Sequence, residues 1–115
     1  MFRSGLHDSR LVFLPIETSM LMYDCARSQI FATAQQIRIH NSHDLRIHAG
    51  VRAAIIIESC TDISMAPYRY SCVEVPDGNA WMRPNDFDWF AEGQSPNWMV
   101  APESEWETCV IRAVV

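Results

Sequence analysis

The chain has 115 residues, 49% of them hydrophobic, and a formal net charge of −5 with nine basic residues that are all Arg. That length gives one domain with a single core of modest size, and that apolar share excludes a disordered chain. No apolar run approaches the ~20 residues of a membrane span, and an acidic balance without a basic cluster excludes nucleic acid as the main partner.

The N-terminus, Met1-Phe2-Arg3-Ser4-Gly5, lacks the apolar stretch of a signal peptide, and Phe2 in place of Gly after Met1 excludes N-myristoylation. A cytosolic address is expected. In that compartment Cys25, Cys60, Cys72 and Cys109, which form no Cys-x-x-Cys pair, are expected to be reduced thiols packed as small hydrophobes, not zinc ligands.

Up to Tyr68 the chain reads as short alternating strands. They are Leu11-Val12-Phe13-Leu14, Met20-Leu21-Met22, Ile30-Phe31-Ala32, Ile37-Arg38-Ile39, Leu45-Arg46-Ile47, Ala54-Ile55-Ile56-Ile57 and Ile63-Ser64-Met65. They carry an internal repeat. Ile37-Arg38-Ile39-His40-Asn41-Ser42-His43-Asp44-Leu45 aligns without gaps on Ile55-Ile56-Ile57-Glu58-Ser59-Cys60-Thr61-Asp62-Ile63, an offset of 18. Similar corners occur at His7-Asp8-Ser9 and Tyr23-Asp24-Cys25, so that Ser9, Cys25, Ser42 and Cys60 are spaced by 16, 17 and 18. Such a period, cut into short strands, predicts the triangular coils of a parallel β-helix, because single coils cannot bury their apolar side and must stack.

The character changes after Tyr68. Pro67, Pro76, Pro84, Pro96 and Pro102 forbid further coils, and Trp81, Phe87, Trp89, Phe90, Trp98 and Trp106 concentrate in this part. The expectation is a single domain with coils over about residues 6–70. An irregular segment over about 71–115 is expected to cover one face with aromatic anchors, including a short helix near Asp86 to Glu92.

Within Gln36 to His40, alternation turns Ile37 and Ile39 inward and Gln36, Arg38 and His40 outward. The offset of 18 sets Glu58 one coil on, beside His40 and near Arg38. A carboxylate there either fixes the guanidinium or pairs with a cation on a partner. By spacing alone, the simpler reading of Arg38 is an ordinary exposed arginine balanced by Glu58, and Phe87 can nearly as well be an apolar residue packed on the coils. His40, His43 and His48 lack the spacing of a metal site, the carboxylates are dispersed, and the four glycines form no phosphate loop. The chain is therefore expected to hold no metal or cofactor and to be no enzyme by itself.

Several blocks together resemble the tubulin-binding cofactor C family. They are Gln35-Gln36-Ile37-Arg38-Ile39-His40, Ala54-Ile55-Ile56-Ile57-Glu58-Ser59-Cys60, Met65-Ala66-Pro67-Tyr68, Asn85-Asp86-Phe87-Asp88-Trp89 and Ser95-Pro96-Asn97-Trp98. The likeness runs in order from about Leu6 to Glu103; Ala34 stands where a Cys usually precedes Gln-Gln, and the family's N-terminal helical domain has no counterpart in these residues. The resemblance implies an all-β, right-handed parallel β-helix, the cofactor C-like (C-CAP) domain, and a GTPase-activating role. By position it implies Arg38 as an arginine finger, with Gln35, Glu58 and Phe87 as partner contacts. The implied partner is β-tubulin, folded with cofactors D and E, or an Arf-like small GTPase of the kind served by the related retinitis pigmentosa 2 protein. GTP would be met only through that partner, in a cytoplasmic or cytoskeletal setting and without membrane insertion. A non-catalytic β-helix docking module is the reading from another class.

Overall fold

A computed structural model describes residues 2–13, 15–69 and 81–107. Its strands are β1 (Phe2–Ser4), β2 (Arg10–Val12), β3 (Ser19–Tyr23), β4 (Ala26–His40), β5 (His43–Glu58), β6 (Thr61–Pro67), β7 (Asn85–Asp86) and β8 (Trp98–Val100). Every pairing is parallel, in the order β1-β3-β4-β5-β6-β8, with β2 on β4 and β7 on β5. Parallel strands adjacent in sequence need a full turn of chain between them, so this order is that of the expected parallel β-helix. Leu21 lies on Phe2, Arg38 on Leu21 and Ile56 on Arg38, which makes successive coils 19, 17 and 18 residues long.

The coils close at a repeated four-residue corner whose first and last residues are left-handed. The pairs are Gly5 (φ 70°) and Asp8 (φ 50°), Asp24 (55°) and Arg27 (49°), Asn41 (50°) and Asp44 (54°), and Ser59 (56°) and Asp62 (53°). Gly, Asn and Asp, the residues that tolerate this region best, hold most of these places. Arg27 is the bulky exception, and its guanidinium is bound to Asp8 one coil away at 2.7 Å. Where a small residue follows the left-handed one, its side chain donates back to the carbonyl two residues earlier: Ser9 to His7 (2.7 Å), Cys25 to Tyr23 (3.3 Å), Ser28 to Ala26 (2.9 Å), Ser42 to His40 (3.0 Å) and Cys60 to Glu58 (3.3 Å). Ser28 and Ser42 also accept from the N–H of Ser9 and Cys25 in the preceding coil, both at 3.1 Å.

These bonds correct the sequence reading in one respect. Cys25, Ser42 and Cys60 do share a column, but Ser9 stacks on Ser28, at the other end of the corner. The same local signature occurs at both ends, so residue type alone does not tell the columns apart. Several short strands also merge: β4 and β5 each run 15 or 16 residues around a bend, with a register shift between Ala34 and Gln36.

Inside, columns of like residues interlock. Met20, Ile37 and Ile55 form one column, Met22, Ile39 and Ile57 the next, and Ile30, Ile47 and Met65 a third, all at most 1% exposed. Burying each such side chain stabilises the fold by about 1.5–3 kcal/mol relative to leaving it in water. Cys25 and Cys60 are buried, free thiols at the corner, as expected, and burial pushes the Cys60 thiol up in pKa. Cys72 and Cys109 lie outside the described residues, as do residues 70–80 and 108–115 of the covering segment.

The described part of that segment divides its aromatics. Trp81 and Trp98 pack against the core, and Trp106 meets Trp81 edge-on at 5.3 Å under the Arg69 guanidinium. Phe87, Trp89 and Phe90 are exposed. The helix expected near Asp86 to Glu92 is absent: Asn85 and Asp86 form β7 instead, and the Phe87 N–H donates to the Ile57 carbonyl at 3.0 Å. Among the described residues the one helical element is a 3-10 turn at Glu103–Glu105.

Beyond that turn the chain crosses the flank built by β2, β6 and the first halves of β4 and β5. Glu105 pairs with Arg46 at 3.0 Å, and Glu107 accepts from Arg10 at 2.9 Å and Gln29 at 3.0 Å. Beneath lies His48, fully buried, stacked on Phe31 at 4.0 Å with its Nε2 3.0 Å from the Gln29 amide. Burial lowers the His48 pKa to about 4, with Arg46 and Arg10 adding to the shift against the opposing pull of Glu107.

Two predictions follow from the corners and this buried ring. Asn41 is exposed and left-handed, with its amide on Asp24 at 2.6 Å. Asn41→Gly should cost less than about 0.5 kcal/mol and Asn41→Val about 1–3 kcal/mol in urea unfolding. Equal losses in both would mean that the side-chain bond, and not the backbone conformation, sets the corner.

His48 is neutral in the fold but takes up a proton readily once unfolded, so the unfolded state binds more protons between pH 6.5 and about 4. Stability should be full above that window and fall by about 2 kcal/mol from pH 7 to pH 5. The carboxylates held low, Asp8, Asp86 and Glu107, titrate below this interval. A His48→Gln variant should therefore show a nearly flat profile there, and an unchanged slope would remove His48 as its origin.

Candidate functional site

The opposite flank, built by β1, β3, β7 and the second halves of β4 and β5, carries the candidate site. Alternation in β4 holds as expected, with Ile37 and Ile39 buried and Arg38 exposed. Directly opposite Arg38 stand Leu21 on β3 and Ile56 on β5, both apolar. The cation therefore has no carboxylate in register. Among the described residues it makes no hydrogen bond or ion pair.

The next outward row runs from Ser4 through Tyr23 and His40 to Glu58. Tyr23 packs on the His40 ring at 5.3 Å, and His40 Nδ1 lies 4.0 Å from Glu58 Oε1. Glu58 is thus turned to His40, its partner in register, and not to Arg38, its diagonal neighbour. Of the two roles that spacing allowed Glu58, the structure does not form the clamp on Arg38. Tyr23, Arg38, His40, Ile56 and Glu58 together line a shallow pocket of about 120 Å³.

Phe87 extends the same row. Asn85 pairs with Ile56 and Asp86 with Ile57, which brings Phe87 to the level of Glu58 at the far edge of this flank. Phe87 remains 43% exposed. Gln35 stands apart. Its N–H donates to the Thr18 carbonyl at 2.9 Å at the bend where the register shifts, and it lines a separate cleft of about 360 Å³ with Glu17 and Arg52. Arg38 and Glu58 line one pocket, Phe87 lies on the same flank level with Glu58, and Gln35 lines a different cleft.

Sequence reasoning missed the residue that organises the neighbouring loop. The Asp86 carboxylate accepts from the Ser95 hydroxyl (2.5 Å), the Asn97 amide (2.9 Å) and the Asp88 N–H (3.0 Å). Burial alone would raise its pKa, but these three bonds outweigh burial and hold it below the usual carboxylate value. Asp88 in turn accepts from the Ser59 N–H at the last corner. The blocks Asn85-Asp86-Phe87-Asp88-Trp89 and Ser95-Pro96-Asn97-Trp98 are therefore one structural unit, a pairing that their separation in sequence conceals.

Comparison with known proteins agrees with this fold. The family model for tubulin binding cofactor C matches residues 2–87. Human tubulin-specific chaperone C is 34% identical over 110 residues, covering 86% of this chain and 32% of the human protein. Tubulin-folding cofactor C of Arabidopsis thaliana is 30% identical over 101 residues, covering 79% of this chain and 29% of that protein. The chain thus spans about a third of the length of the relatives it matches. The solved structure of tubulin binding cofactor C from Leishmania major superposes with a TM-score of 0.82 over 99% of this chain and 86% of that one, at 20% identity, which establishes the shared fold. The repeat, the coil stack and these matches place the chain in the tubulin-binding cofactor C family.

Proposed function

We propose that this chain is a GTPase-activating domain of the tubulin-folding machinery, which inserts Arg38 into the nucleotide site of GTP-bound β-tubulin in concert with cofactors D and E. The observation that carries the reading is Arg38 itself, a cation without an ion pair among the described residues, on a rigid strand with apolar residues on both sides in register. The names of its relatives, a tubulin-specific chaperone and a tubulin-folding cofactor, support tubulin as the partner.

GTP hydrolysis develops charge on the phosphoryl oxygens, and a guanidinium supplied from outside stabilises it with planar, directional donors. In other GTPases such a finger accelerates hydrolysis by ~10³ to 10⁵, roughly 4–7 kcal/mol of barrier. A guanidinium already bound to a carboxylate would have to break that bond first. Arg38 makes no such bond among the described residues, so it meets the phosphate without that cost. The domain completes its partner's active site and is not an enzyme alone. Glu58 and Phe87, on the same flank, contact the partner around the finger, and Gln35 does so at the rim.

The docking-module reading is favoured by one observation, the exposed aromatics beside the site, and Arg38 separates the two. Arg38→Ala removes an exposed side chain and leaves no cavity, so stability in urea should change by less than about 1 kcal/mol. Single-turnover GTP hydrolysis by tubulin with cofactors D and E should fall at least ~10³-fold, and Arg38→Lys should recover little, since Lys lacks the planar fork. Association should weaken far less than hydrolysis in both variants, and weaken more in Glu58→Ala and Phe87→Ala. Undiminished activation by Arg38→Ala would leave docking as the function.

A further inference from the structure

We propose that the groove between Asp44 and Asp62 on one side and Trp98 and Met99 on the other docks an arginine side chain of a protein partner. It lies past the corner from the Arg38 flank and is independent of the finger.

The corners stack residue on residue, so their left-handed last positions form a column of Asp8, Arg27, Asp44 and Asp62. Neighbours in such a column stand about 4.8 Å apart along the stack. Arg27 lies between two acids, but both of its hydrogen bonds go to Asp8, at 2.7 and 3.3 Å. Among the described residues, the Asp44 and Asp62 carboxylates make no hydrogen bond or ion pair. Like charges directly opposite one another on paired strands oppose folding. The left-handed backbone does not require them, since Gly5 and the neutral Asn41 hold the same conformation at the other end of the corner. The second carboxylate thus costs the fold stability and gains it nothing.

These two acids border a groove of about 560 Å³ whose other wall includes Pro96, Trp98 and Met99. Met99 is 50% exposed. That wall is already in place. The Ile63 N–H donates to the Asn97 carbonyl at 3.0 Å, and the Asn97 amide and Ser95 hydroxyl are both held by Asp86. Little binding energy is therefore lost to ordering it.

Charge and shape together name the occupant. An apolar wall facing a pair of carboxylates matches a long side chain with an apolar stem and a cationic head. Arginine suits it better than lysine, because a planar fork can bridge two carboxylates on adjacent coils. Of the other titratable groups in the lining, Arg27 is bound to Asp8, and His43 is the neighbour of Asp44. The excess charge is negative, which repels nucleic acid and anionic bilayers and leaves a basic protein segment.

The probe is the end-blocked tripeptide Leu-Arg-Leu, titrated into the isotope-labelled chain and followed by amide and indole NMR shifts. Saturable shifts should centre on Asp44, Asp62 and Trp98, with a Kd below about 1 mM. Leu-Lys-Leu should bind several-fold more weakly, and the uncharged citrulline analogue should not saturate. Asp44→Asn combined with Asp62→Asn keeps residues that tolerate the left-handed corner and removes both charges. This variant should bind at least about 10-fold more weakly while its melting temperature stays equal or rises. Arg38→Ala should bind the peptide as the parent does, which separates this result from the fate of the finger. No saturation below about 5 mM overturns the proposal, and so does equal binding of the citrulline peptide or of the double variant. Calcium that saturates the same resonances and excludes the peptide would make the groove a metal site. Self-association of the parent that the double variant loses would make the occupant a second copy. Either result overturns the arginine-bearing partner.

Discussion

A coil of 17 to 19 residues closes only because the chain passes twice through the left-handed region within four residues. That conformation is costly for most side chains, and the chain meets the cost with Gly, Asn, Asp and Ser at most positions and with an ion pair at Arg27. Everything else depends on these corners. They set the length of each coil, and coil length sets which residue lies above which. Coils differ by a residue or two, and bends such as the register shift between Ala34 and Gln36 absorb the difference, so that the inward columns stay in line. A one-residue slip within a strand would turn its side chains to the wrong face. Where a Ser or Cys follows a left-handed residue it secures the turn by bonding the carbonyl two residues back, and two serines reach into the preceding coil as well. The corner is thus both the local bend and part of the adhesion between layers.

With the stack in place, its two flanks have different fates. The flank with Phe31 and His48 is closed by residues 103–107, whose glutamates reach Arg46, Gln29 and Arg10. Those ion pairs are partly exposed and individually weak, so the closure draws its strength from the stacked Phe31 and His48 rings beneath and from Trp106 on Trp81. Among the described residues, none covers Arg38 on the other flank. Nor does any ion pair form at Arg38 among these residues, because the carboxylate nearest in sequence offset is in register with His40 and the residues in register with Arg38 are aliphatic. Arg10 and Arg46, under the covering segment, serve the fold, while Arg38 is displayed on the other flank.

Much of this was visible in the residues. The 18-residue offset between Ile37 and Ile55 gave the stacking of β4 on β5, and alternation from Gln36 to His40 turned Arg38 outward, because both depend on a strict period that a single sequence displays. The family blocks pointed to the same fold, which the superposition on the Leishmania major protein bears out. What escaped were features settled by a distant hydrogen-bond partner. The run from Asp86 to Glu92 has helix-compatible residues, but the Ile57 carbonyl takes the Phe87 N–H and Ser95 and Asn97 occupy the Asp86 carboxylate. Ser9 has the same corner signature as Cys25, yet only the pairing of Arg10 with Gln29 shows that it belongs to the column of Ser28.

The sequence by itself therefore determined the period, the inward columns and the outward placing of Arg38, since each follows from side-chain spacing along one short stretch of backbone. Only the tertiary structure decided whether Glu58 would clamp Arg38 or turn to His40, and which aromatics would pack and which would stand in water. Trp81, Trp98 and Trp106 and the exposed Phe87, Trp89 and Phe90 are alike in composition. They differ in the surface that their backbone reaches, and that surface is assembled from residues far away in the chain.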